Sequence, residues 1–172
     1  MRDIAPVSDD VKKEGLELLK RRLKLDEDSN INDLKGQAFT CGAIGRYYHF
    51  NTDDIESAET YLEKDFIICE QIRDIEGASQ MKSLLGACSL RKKDFKNAVD
   101  LYKSSYDYAE KMDESGLYNI LYAHLGLLDA YSYMDEKDHN QKEIKTWARY
   151  YPEQNVVEYA IAAKADALTG CF

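Results

Sequence analysis

Proline is scarce in this 172-residue sequence, with two residues in all, and cysteine and tryptophan stand at four and one. So little proline removes the commonest interruption of helices and leaves room for long ones. The cysteines, Cys41, Cys69, Cys88 and Cys171, form no C-x-x-C pair and no dense framework. Neither a disulfide scaffold nor a structural zinc site is indicated, and a reducing compartment is the simpler setting. No stretch approaches the roughly eighteen continuous apolar residues of a membrane-crossing helix, and the opening segment Met1 to Asp10 has no apolar leader core. A cytoplasmic or nuclear protein that does not engage membrane is expected. Positive charge is short as well: 23 Lys+Arg face 32 Asp+Glu, for a net charge of −9. That balance speaks against a protein that tracks nucleic-acid phosphates.

Chemical motifs are equally thin. No G-x-x-x-x-G-K or G-x-G-x-x-G run occurs, and His49, His124 and His139 have no second ligand at metal-binding spacing. No cofactor, no metal and no catalysis are therefore expected. Cys41, Cys69 and Cys88 fall on or beside apolar helical stripes, which reads as packing rather than nucleophilic chemistry. A thiol- or histidine-dependent enzyme is the remote alternative.

The sequence does have 44% apolar and 32% charged residues, a globular composition, and thirteen tyrosines. A base-stacking platform would need a cationic groove beside those rings, so helix packing is their expected role. Self-similarity organises the chain. Apolar–Gly pairs recur at Ile44-Gly45, Leu85-Gly86 and Leu125-Gly126, about forty residues apart. After the second pair, Phe95, Ala98, Tyr102, Ser105, Ala109 and Met112 fall on one helical stripe. After the first, Ala58, Leu62, Asp65 and Cys69 repeat the offsets, with one residue of extra loop within His49 to Asp54. Each unit thus reads as an A helix bearing the apolar–Gly pair, a short polar turn, and a B helix bearing Ala-x-x-x-aromatic/Leu. Small residues at facing positions let the two helices approach closely.

This pattern resembles the tetratricopeptide repeats, through Ile44-Gly45-x-x-Tyr48 and through Leu85-Gly86 followed by Ala98, Tyr102 and Ser105. The long period, with Asp74-Ile75-Glu76-Gly77-Ala78 between units, is similar to the repeats of the Pins/LGN-type adaptors. The resemblance implies an all-α fold, a right-handed superhelix of antiparallel helix pairs. It also divides a single helical domain: a tail over 1–8, a lone B-type helix within 9–33, repeats over 34–76, 77–114 and 115–152, and a capping or unfinished helix over 153–172. In the third repeat the B stripe would be Ile144, Trp147 and Tyr150. In the lone helix Gly15 and Leu19 take the Ala and aromatic places. Its basic residues, Lys12, Lys13, Lys20, Arg21, Arg22 and Lys24, read as a solvated face.

In such repeats the A helices line the inner groove. Counted from the apolar–Gly pairs, the resemblance implies a peptide-binding groove of Phe39, Arg46, His49 and Phe50, then Gln80, Ser83, Leu90 and Arg91, then Ile120, Leu127 and Tyr131. Gly42, Ala87, Ala123 and Ala130 fill the remaining positions. The wall contains two arginines and no carboxylate. The carboxylate clamp of chaperone cofactors is absent, since Gly42 and Arg46, or Ser83 and Ala87, hold its places. The Asn that follows Leu-Gly in Pins/LGN-type adaptors is replaced by Arg46, Ala87 and Leu127. The expected partner is another protein, presenting an apolar segment with acidic side chains. The alternative is a self-associating assembly subunit, a homo-oligomer formed through terminal helices such as the one carrying Val156, Ala160 and Ala163.

Overall fold

Aspartate sets the start of four successive helices. Asp33, Asp54, Asp74 and Asp94 each accept a hydrogen bond from the backbone N–H three residues on, at 2.9, 3.0, 2.9 and 3.2 Å. A side-chain acceptor at that position satisfies one of the donors that an α-helix leaves open at its N-terminus. The structure, a computed structural model, describes residues 8–28 and 33–134. The expected third B helix with Ile144, Trp147 and Tyr150, and the helix with Val156, Ala160 and Ala163, lie outside the described residues.

Six α-helices and one short 3-10 turn make up the described residues, with no strand among them. The chain divides into two compact units, Met1–Arg73 and Asp74–Phe172. The first holds α1 (Asp9–Asp26), α2 (Leu34–Asn51) and α3 (Ile55–Ile72). The second holds α4 (Ile75–Arg91), α5 (Phe95–Ala109), the turn Glu114–Gly116 and α6 (Leu117–Tyr133).

In the first unit, α1 buries Leu16 and Leu23 with Cys41 and Ile44 of α2, and Leu19, Tyr48 and Tyr61 pack around them. A polar latch fixes the end of α1 to α2. The buried Asp26 carboxylate accepts from Arg22 Nε at 2.6 Å and from Thr40 Oγ1 at 3.1 Å, while the Asp26 carbonyl accepts from Gln37 Nε2 at 2.7 Å. Helices α2 and α3 form a hairpin across the short turn at 52–54. Their approach is close at Gly45, where an added Cβ would stand 2.7 Å from Leu62 Cγ and 3.1 Å from the Leu62 backbone nitrogen. The expected stripe of α3, Ala58, Leu62, Asp65 and Cys69, is buried throughout.

The second unit repeats the hairpin with α4 and α5, then lays α6 on them. Ala98, Val99 and Tyr102 of α5 form one cluster with Leu127, Ala130 and Tyr131 of α6. Tyr102 is the centre of this arrangement: its ring lies 3.0 Å from the Cβ position of Gly86 on α4 and also lies against Gly126 of α6. The two glycines leave the space that a tyrosine ring needs between helices. Burial pushes the Tyr102 phenol well above its usual range. A second inter-helix contact is polar: the Ser79 hydroxyl donates to the Ser105 carbonyl at 2.9 Å, and Ser105 Oγ donates to the Ser79 carbonyl at 2.8 Å.

Candidate functional site

The sequence reading selects eleven groove residues, and the structure sorts them by helix. On α2, the side turned away from Ile44 and Leu16 carries Phe39, Arg46, His49 and Phe50. Phe39 is 75% exposed and Phe50 57% exposed, while Arg46 and His49 are half-buried. At about 100° per residue, Phe39, Ala43, Arg46 and Phe50 follow one line along the helix, and exposed Lys35 continues it by one turn. His49 meets Phe50 edge to face, with ring centroids 4.6 Å apart. No Asp or Glu occurs in α2; its charged groups are Lys35 and Arg46, with His49 besides.

Arg46 has a neighbour that its own helix does not reveal. Its guanidinium and the Asp65 carboxylate of α3 both lie over Gly42, with Arg46 Nη1 2.8 Å from where a Cβ would stand. Asp65 is buried and accepts a hydrogen bond from the Cys69 thiol at 3.3 Å. The wall positions themselves hold no carboxylate, but the B helix supplies one from behind. Gly42 itself is buried between these groups rather than open to a groove.

On α4 the selected side chains serve the fold of their own unit. Ser83 Oγ shares a hydrogen bond of 2.8 Å with Ser105 Oγ, Gln80 Nε2 donates to Glu76 Oε1 at 3.2 Å, and Leu90 packs on the α5–α6 cluster. Arg91 is exposed.

On α6 the selection fails. Ile120, Leu127 and Tyr131 are buried, as are Ala123 and Ala130, so none of these lines an open groove. The reason is the direction in which the apolar–Gly pair faces. Gly45 touches Leu62 and Gly86 touches Tyr102, each on the helix that follows, whereas Gly126 touches Tyr102 on the helix that precedes. Positions counted from Gly126 therefore turn inward. The exposed aromatics of α6 are instead Tyr118, Tyr122 and Tyr133. Tyr118 and Tyr122 meet at 4.9 Å between ring centroids, and Tyr133 stacks on Phe95 at 4.9 Å. Their spacing by four in the sequence is the signal that finds the first two, and the same spacing finds Lys35 ahead of Phe39.

Three cysteines and one histidine of the described residues lie deep in the fold. Cys41, Cys69 and Cys88 are buried free thiols, and burial pushes the Cys41 thiol up to about 11, where thiolate is rare at neutral pH. His124 is buried beside Tyr106, ring centroids 5.0 Å apart, and loss of solvation lowers its pKa to about 4, with Glu110 acting in the opposite direction. Among the described residues no group of three or more His, Cys, Asp or Glu side chains could hold a metal ion, and no helix is long and apolar enough to cross a membrane. No protein-family model matches the chain, and no curated protein matches it.

Proposed function

We propose that the chain is a tetratricopeptide-like interaction module without catalysis, which binds an apolar peptide segment bearing acidic side chains along α2. One observation carries this reading. Phe39 and Phe50 stand largely in solvent three turns apart on one line of a helix, and the charged side chains on that line, Lys35 and Arg46, are both basic in a chain of net charge −9. An apolar segment would cover the rings, and its carboxylates would find cations beside them.

Selection of phage-displayed random peptides on the immobilised chain tests this directly. The expected winners combine Leu, Phe or Trp with Asp or Glu. In fluorescence anisotropy, Phe39→Ala and Phe50→Ala should each weaken the selected peptide by more than about 1 kcal/mol, and Lys35→Glu should weaken it further with rising salt sensitivity lost. A selection without enrichment, or peptides whose affinity ignores both phenylalanines, would remove the site from α2.

A further inference from the structure

We propose that α1 pairs with α1 of a second copy of this chain, antiparallel, about a two-fold axis at Leu18. The inference does not depend on peptide binding at α2. Helix α1 has two apolar faces. Leu16 and Leu23 are buried against α2, but Val11, Leu18 and Leu25 are 57%, 57% and 60% exposed. Three large apolar side chains spaced by seven residues drift only about 20° per step, so they form one stripe along a helix roughly 27 Å long. Gly15 lies beside the stripe, and a Cβ there would meet nothing within 4 Å. The corresponding positions of α3 and α5, Ala58 and Ala98, are fully buried. The small-residue position that brings two helices together elsewhere in this chain is open on α1.

Charge identifies what covers the stripe. The first half of α1 carries Asp9, Asp10, Glu14 and Glu17 against Lys12 and Lys13, whereas its second half carries Lys20, Arg21, Arg22 and Lys24 against Asp26. A helix that is acidic at one end and basic at the other is complementary to itself when reversed. With the axis at Leu18, Val11 faces the second copy's Leu25, and Leu18 faces its own counterpart. Glu14 then comes beside the second copy's Arg21, and the reverse pair forms on the other side of the axis. Both residues are exposed, and they run along the same edge of the stripe. A parallel pair would set acidic half on acidic half and basic on basic.

Sedimentation equilibrium of the whole chain, from micromolar to several hundred micromolar, should show an apparent mass rising from one 19.8 kDa chain towards twice that value. Leu18→Glu, which places two carboxylates on the axis, should hold the chain monomeric while its far-ultraviolet circular dichroism stays unchanged. Glu14→Arg and Arg21→Glu should each weaken the dimer at least about tenfold, because symmetry repeats every change, and the double variant should restore it. The restoration reads the antiparallel pairing even if Leu18→Glu perturbs the fold. A monomer at every concentration, a dimer indifferent to Leu18→Glu in a folded chain, or a double variant no better than the singles would each overturn the proposal.

Discussion

Replacing glycine by alanine should have opposite consequences at two positions of the same unit. Both Gly15 in α1 and Gly45 in α2 lie inside helices, where alanine is favoured over glycine by about 1 kcal/mol through backbone entropy. That gain is common to both substitutions. At Gly15 nothing lies within 4 Å of the new methyl group, so the full gain is expected. At Gly45 the methyl would stand 2.7 and 2.8 Å from Leu62 Cγ and Cδ2 and 3.1 Å from its backbone nitrogen. Leu62 is fully buried and has no free direction to move, so the hairpin must open slightly, at a cost of about 1–3 kcal/mol. Because the entropy term cancels, the difference between the variants measures the packing of α2 on α3 alone. Urea unfolding followed at 222 nm, at low micromolar protein, is the assay. A slope near 1 kcal/mol per molar, reasonable for a unit this small, separates the two midpoints by about 1 M or more. Midpoints that rise together would show that α2 and α3 do not meet at Gly45, and the hairpin geometry of the first unit would have to be abandoned.

His124 should make the second unit sensitive to mild acid. Its folded pKa, lowered to about 4, lies below the unfolded value near 6.5, so stability is complete above pH 6.5 and is lost as pH falls through about 4. The loss should reach about 2 kcal/mol at pH 5 relative to the non-titrating His124→Met, measured as a double difference in urea midpoints that cancels the carboxylates, and equal pH profiles for the two chains would refute the burial. Ala98→Leu should cost roughly 1–3 kcal/mol, because Ala98 is fully buried among Tyr102, Leu127 and Tyr131, while Lys96→Ala on the exposed side of α5 should stay within about half a kcal/mol. Equal thermal midpoints for that pair would contradict the α5–α6 packing.

Local pattern was legible in the sequence wherever a residue's role was set by its own hairpin. The Ala-x-x-x-Leu/Tyr spacing locates α3 and α5 and names Ala58, Leu62, Asp65 and Cys69 in one and Ala98, Tyr102, Ser105 and Ala109 in the other as buried, whereas Phe95 is half-buried and Met112 lies beyond the end of α5. The turns at 52–54 and 92–94 are three residues each, so the extra residue expected as loop within His49 to Asp54 is taken up by α2, which runs on to Asn51. What escaped depends on contacts that no periodic count contains. Gly126 obeys the apolar–Gly pattern yet packs backwards onto Tyr102, which inverts every position counted from it. Ser83 looks like a polar groove residue until Ser105, 22 residues on, claims its hydroxyl. Asp65 belongs to the expected buried stripe, and its nearness to Arg46 follows from the offset between α2 and α3 only once the hairpin register is known. In α1 the expected Ala and aromatic places, Gly15 and Leu19, are only half-buried; the core contacts are made by Leu16 and Leu23, and Val11 falls instead on an exposed seven-residue spacing with Leu18 and Leu25.

At the proposed α2 site, binding and folding separate at some positions and not at others. The buried side of α2 is made of Ala38, Thr40, Cys41, Gly42, Ile44 and Gly45, mostly small residues that let the helix lie close to its neighbours. Phe39 and Phe50 contribute little to that core, since rings left mainly in solvent recover little of the roughly 2–3 kcal/mol that burying a phenylalanine provides. Their truncation can therefore be read as a change in binding with the fold intact. Arg46 offers no such separation. It stands beside a buried carboxylate, and Arg46→Glu would bring a second negative charge against Asp65 where solvent screens poorly, so charge reversal there would disturb the hairpin as well as any ligand. Lys35 is exposed one turn before Phe39 and carries the same sign of charge. A loss of peptide affinity at Lys35→Glu with unchanged stability is consequently the measurement that assigns acidic recognition to this face rather than to the packing beneath it.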